Sequence, residues 1–341
     1  MTANRFDFLR LLFAFCVFVF HAWALAGIAP FGDLETQLGV LAEISIQGFF
    51  IVSGALVLGS LDRSASLGEY AEKRVRRLYP AYAVVVITPA VTSGFLTGWA
   101  APAAVAKYLT ANLVFLNFLA PDLPGLFEGR RFTEVNGALW TLKIEVMFYI
   151  ALPVIAQVLR LFGKAWWVGL LLLYSGGVAW SMGMPMLLDH ELAPEIARQL
   201  PGQMAFFASG MALWKLWDTA KAKPGMFGLV GAFLLALSFA HPLAEFLRAA
   251  GLAGLIACAA FAPGPRLDAA RFGDVSYGLY ITHFPILQGM IMLGLFASFG
   301  FALSIAISTF TVLLASLLLW HLVEKPALRR DSHYRKVSEA A

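Results

Sequence analysis

His21 stands inside a 22-residue stretch, 11–32, that contains no Asp, Glu, Lys or Arg. An ionisable group within such a stretch is costly to keep and marks a pathway or a reaction centre. The plainer reading is a neutral histidine bonded to a neighbouring helix. Arg10 lies eleven residues earlier, at the mouth of the stretch. Eleven steps of about 100° return a helix almost to the same face, so Arg10 and His21 share a stripe about 16 Å apart. Asp7, three residues before Arg10, is close enough to pair with it at the helix end.

Four further constellations carry chemically useful groups. Arg74 and Arg77 sit three apart in Glu72-Lys73-Arg74-Val75-Arg76-Arg77-Leu78-Tyr79-Pro80 and can turn inward together. Forked guanidinium groups suit phosphate oxygens, though the same cluster also reads as a basic anchor on anionic lipid. Glu145 follows Trp140 into an apolar run, with Tyr149 one turn on. A carboxylate there needs a partner or a cavity. Tyr277, Tyr280 and His283 recur every three residues before Pro285, which should kink the helix near His283. Glu324 follows His321 by three at the end of the last apolar run. The six His are mostly scattered and form no metal-ligand spacing, so neither a metal nor a bound cofactor is expected.

The elements that must position these groups are membrane helices. The 341 residues are 60% hydrophobic and 13% charged, with mean hydropathy +0.76. A soluble domain carries about 25% charged residues. Ten spans are expected, near 8–29, 40–60, 78–97, 138–159, 165–183, 201–217, 225–241, 246–262, 276–296 and 301–323. The last two divide the uncharged run 275–323, with a turn at Ser298 to Gly300. Residues 103–119, broken by Lys107, Asn112 and Asn117, read as interfacial or re-entrant. Ala24-Leu25-Ala26 imitates a secretory cleavage site, but Asp7 and the continuing apolar run favour a retained first span.

With ten spans both termini share a side. Lys107, Arg130, Arg131, Lys143, Arg198 and Arg248 fall on the opposite one, leaving 19 of the 25 Lys and Arg with the termini. The positive-inside rule places that side in the cytoplasm. The net charge of +4 thus reports topology rather than a nucleic-acid partner. Cys16 and Cys258 both lie in apolar spans and suggest packing rather than a disulfide. The expectation is an all-α polytopic bundle over 1–330 with a short cytoplasmic tail at 331–341. No internal repeat is evident, which weakens a transporter or flippase reading for a glycolipid or small anion.

In order along the chain, these segments resemble the acyltransferase-3 family of multispanning membrane acyltransferases. The resemblance rests on Arg5-Phe6-Asp7-Phe8-Leu9-Arg10 with His21, and on Gly48-Phe49-Phe50-Ile51-Val52-Ser53-Gly54. It continues through Arg74 and Arg77 before Pro80, Asn136-Gly137-Ala138-Leu139-Trp140-Thr141-Leu142 with Glu145, Ser276 through Pro285, and Glu324-Lys325-Pro326. Ala55 departs from the aromatic that the family usually carries after Ser-Gly. The resemblance implies transfer of an acyl group, commonly acetyl, from cytoplasmic acyl-CoA to a hydroxyl of an extracytoplasmic glycan or lipid-linked sugar in the inner or plasma membrane. It implies His21 as base and Glu145 orienting the acceptor or the base. Arg10, Arg74 and Arg77 would lie on the acyl-CoA path, and Ser53, Trp140, Tyr277, Tyr280, His283 and Glu324 along a substrate tunnel. A covalent acyl-histidine stays open as an alternative to direct transfer.

Overall fold

The computed structural model describes residues 5–27, 33–265, 267, 269, 273–332 and 335, and every regular element among them is helical. The helices are α1 (Phe6–Ala26), α2 (Leu34–Asp62), α3 (Leu67–Leu96), α4 (Pro102–Asn112), α5 (Trp140–Leu161), α6 (Trp166–Leu187) and the short α7 (Ala193–Ala197). There follow α8 (Leu200–Lys215), α9 (Trp217–Ala222), α10 (Pro224–Ala240), α11 (Arg248–Phe261), α12 (Val275–Met292), α13 (Leu295–Leu319) and α14 (Lys325–Ala327).

Among the described residues seven helices, α1, α2, α3, α5, α6, α11 and α13 with their flanking turns, are long and apolar enough to cross a membrane. The chain is a multi-pass membrane protein. The other three segments expected to span are also helical, and are shorter or less apolar than these seven. α8 and α10 have 16 and 17 residues, about 24–26 Å of helix against a hydrocarbon core of about 30 Å. α12 carries Ser276, Tyr277, Tyr280, Thr282, His283 and Gln288, whose polar groups lower its hydropathy. Residues 103–119 form the 11-residue α4 and a single turn at Asn117–Leu119, too short to span. The long uncharged run is interrupted within the expected Ser298–Gly300 and once more before it. α12 ends at Met292, Gly294 turns the chain with φ +75°, and Gly300 with φ +70° breaks α13 again.

The helices gather into two compact units, the first comprising Met1–Arg10, Ile44–Tyr70 and Ile144–Asp268. Its helices touch backbone to backbone at glycines. A Cβ on Gly54 would strike the Phe207 carbonyl, and one on Gly210 would strike that of Ile51, so α2 and α8 pack through small residues. Gly231, Gly251 and Gly254 do the same for α10 and α11. Apolar association gains little in lipid, where close van der Waals packing at small residues takes over. Phe207 stacks on Phe148 and lies against Phe50, filling the space beside the glycine contact. Arg5 donates to the carbonyls of Ala259 and Pro265, satisfying the C-terminal end of α11. Gly210→Leu is expected to force α2 from α8 and to cost about 1–3 kcal/mol, measured as unfolding in detergent.

The second unit comprises Leu11–Glu43, Ala71–Lys143 and Ala269–Ala341. Ser304, Ser308, Val312 and Ser316 recur every four residues on α13 and are all buried. Gly278 of α12 lies against Ser316, so this stripe is the packing face between α12 and α13. Exposed Ile150 and Val154 on α5 and Leu229 and Phe233 on α10, all in the first unit, are apolar surface suited to lipid.

Candidate active site

Within the second unit, α1 and α12 bring two imidazoles together. His283 Nε2 lies 2.9 Å from His21 Nδ1, and His283 Nδ1 lies 3.1 Å from the Leu279 carbonyl. A carbonyl only accepts, so a neutral His283 carries its proton on Nδ1. Its Nε2 then accepts from His21 Nδ1–H, which leaves the His21 Nε2 lone pair available. His283 is wholly buried. Phe18, Phe20 and Phe284 surround the two rings.

Pro285, inside α12, also ties that helix to the start of α5. Pro285 has no N–H, so the Ile281 carbonyl loses its helical donor. Asn136 Nδ2 replaces that donor at 2.8 Å, while Asn136 Oδ1 accepts from the Ala138 N–H. Gly137 is small because a Cβ there would lie 2.9 Å from the Phe284 ring. Thr141 and Tyr280 share a hydroxyl–hydroxyl bond of 2.7 Å. Trp140 is half-buried at the first position of α5. Asn136→Ala orphans the Ile281 carbonyl and is expected to cost about 1–3 kcal/mol, read as a lowered melting temperature.

A second cluster in the same unit is ionic. The Arg77 guanidinium pairs with Asp274 through one arm and with Glu324 at 2.7 Å through the other, and both carboxylates are buried. Tyr277 lies beneath the guanidinium, 5.4 Å from its carbon, and its hydroxyl donates to the Leu78 carbonyl. The Ser276 hydroxyl donates to Asp274. Glu324 sits in a π-helical turn, Trp320–Glu324, a local distortion that often accompanies function. Arg74, one turn before Arg77, is half-buried.

In the first unit, Ser53 of α2 donates to Glu145 Oε1 at 3.1 Å, and Tyr149, one turn along α5, donates to the same oxygen. Tyr70 in turn donates to the Tyr149 carbonyl at 3.0 Å. Glu145 Oε2 makes no hydrogen bond with any described residue. Arg10 is half-buried on α1. His21, His283, Ser53 and Glu145 are each legible in the sequence, whereas the pairings His21–His283 and Ser53–Glu145 appear only in the fold.

Asp274 was missed. Its signal was its position, bordering the long uncharged run at the N-terminus of α12, where an acid is favoured. Asn136 was noted within a motif without a role. Among the described residues no group of three His, Cys, Asp or Glu is placed to hold a metal ion, and Cys16 and Cys258 are free thiols.

An acyltransferase domain model matches residues 4–321. The chain belongs to the acyltransferase-3 family. It is 32% identical over 346 residues to an O-acetyl transferase of Shigella phage Sf6, covering 97% of each chain. It is 29% identical over 364 residues to nodulation protein 10 of Rhizobium leguminosarum bv. viciae, covering 96% of this chain and 93% of that one. No solved structure matches it. As a member of the acyltransferase-3 family it is a membrane O-acyltransferase. In this family member, His21, Ser53, Arg77, Glu145, His283 and Glu324 all lie in the hydrogen-bonded clusters described above.

Proposed function

We propose that the protein transfers an acetyl group from acetyl-CoA, supplied on the cytoplasmic side, to a hydroxyl of an extracytoplasmic glycan or lipid-linked sugar. The observation that carries this is the imidazole pair, 2.9 Å apart, with its outer nitrogen anchored on the Leu279 carbonyl. His21 Nε2 takes the proton of the acceptor hydroxyl as its oxygen attacks the thioester carbonyl carbon. The tetrahedral intermediate collapses, the C–S bond breaks, and the departing thiolate takes the proton from the His21 imidazolium. Free CoA and an ester are the products. Apolar walls around the rings exclude water, which would otherwise intercept the thioester. The name of the phage relative, an O-acetyl transferase, supports acetyl over longer acyl groups.

In this reading Glu145, held through Oε1, orients the acceptor with Oε2. Arg10, Arg74 and Arg77 lie on the donor path. Arg77, engaged by Asp274 and Glu324, keeps that path in shape and Tyr277 braces it. Trp140, Tyr280 and His283 of the second unit line the substrate route, and Ser53 of the first serves by holding Glu145. Ten crossings with both termini cytoplasmic, in the inner or plasma membrane, fit the Lys and Arg distribution. Residues 1–330 form the catalytic domain and 331–341 its tail. Purified protein in liposomes with labelled acetyl-CoA tests the reading. Acceptor-dependent release of free CoA is expected; movement of a solute with the thioester intact would make the protein a carrier instead.

A further inference from the structure

The non-helical segment 131–136 holds both helices of the imidazole pair by hydrogen bonds. Arg131 grips the first. Its Nη1 donates to the Ala24 carbonyl at 2.9 Å and to Glu35 Oε2 at 3.0 Å, and its Nη2 donates to Glu35 Oε1 at 2.7 Å. Ala24 lies in the last turn of α1, where carbonyls lack a helical donor and a cation is favoured. Glu35 lies in the first turn of α2, where an acid is favoured. The rest of the segment holds α12. Buried Gln288 donates to the Phe132 carbonyl at 2.7 Å and to that of Glu134 at 3.4 Å. Asn136 donates to the Ile281 carbonyl at 2.8 Å.

These anchors sit close to the two rings. His21 is three residues before Ala24 on α1, and His283 lies between Ile281 and Gln288 on α12. The aromatic walls around the rings attract without direction, so they leave the axial position of one helix against the other loosely set. A slip of one residue, about 1.5 Å, would break the 2.9 Å bond between the imidazoles. Directional bonds must set that register, and segment 131–136 supplies them. Arg131 and Glu35 are both partly exposed, so their ion pair adds little stability. Its two-pronged geometry nevertheless fixes position. We propose that Arg131 is a positioning residue for acyl transfer, holding α1 in register with α12 and so keeping His21 Nδ1 on His283 Nε2. The proposal rests on the reading of His21 as the base.

The test reads the pair both without and with turnover. Solid-state spectra of the full chain in liposomes, labelled with ¹⁵N-histidine, follow the His283 Nε2 resonance, which depends on whether that nitrogen accepts a hydrogen bond. His21→Ala gives its position with the bond absent. Arg131→Ala should move the resonance at least halfway to that position. Arg131→Lys, whose single ammonium cannot fork, should fall between Arg131→Ala and the parent, and it carries the same comparisons if Arg131→Ala does not fold. Transfer is followed as labelled acetate incorporated into envelope glycan by cells with matched protein levels. Arg131→Ala should slow it about tenfold in the parent and less than about twofold in a His283→Ala background, because residues acting through one bond are not additive. An unchanged resonance in Arg131→Ala overturns the proposal. So does an equal loss of transfer in both backgrounds, which makes Arg131 a support of the general fold or a contact to the acceptor. Full transfer by His21→Ala fails the base reading instead, whatever the resonance shows.

Discussion

Replacing His21 by Ala should reduce acyl transfer by about 10²–10⁴-fold, measured as esterified glycan in cells with matched protein levels. The loss should fall on kcat, because the imidazole acts on the acceptor proton as the carbonyl is attacked. His283 is expected to act through His21. In His283→Ala the His21 Nδ1–H loses its acceptor at 2.9 Å, leaving the ring its backbone hydrogen bond to Val17, and the proton is held less firmly off Nε2, where it blocks the base. That variant should lose about a hundredfold, within the range of general acid–base effects. His283→Gln, whose amide oxygen can accept from Nδ1–H, should recover most of the rate, an outcome that lost packing alone would not produce. Undiminished transfer by His21→Ala would remove this residue from the chemistry.

Arg77→Ala should unfold the protein more readily by about 3–5 kcal/mol, because it leaves Asp274 and Glu324 as buried carboxylates without their shared cation. The effect is large beside the total stability of a domain, about 5–15 kcal/mol. Arg77→Lys should recover part of it, since a single ammonium cannot fork to two carboxylates as a guanidinium does. Combining Arg77→Ala with Asp274→Asn and Glu324→Gln should restore stability further by removing the stranded charges. Thermal unfolding in detergent, followed by intrinsic tryptophan fluorescence, gives the readout. A single Arg77→Ala variant that melts with the parent would show that the buried ionic cluster contributes little. Loss of transfer in Arg77→Ala is interpretable only beside that measurement, since a weakened fold and a weakened donor site lower activity alike.

Composition and the long uncharged runs were enough to establish a helical, multi-pass membrane protein. Burial of polar groups in lipid is expensive wherever it occurs, so hydropathy is a local property and reads directly from the chain. The same cost singled out His21 and Glu145, because each interrupts an apolar run and must have a compensating partner; Arg77 stood out only as one of a basic cluster whose guanidinium forks suit anions. The partners were decided by packing. His283 is 262 residues from His21, and Arg77 reaches 197 residues to Asp274 and 247 to Glu324. No periodicity connects positions so far apart. Their meeting depends on Pro285 releasing the Ile281 carbonyl to Asn136, on Gly137 admitting the Phe284 ring, and on serines letting α12 lie against α13. Each of those is a fit between two surfaces, which exists only once both helices are in place.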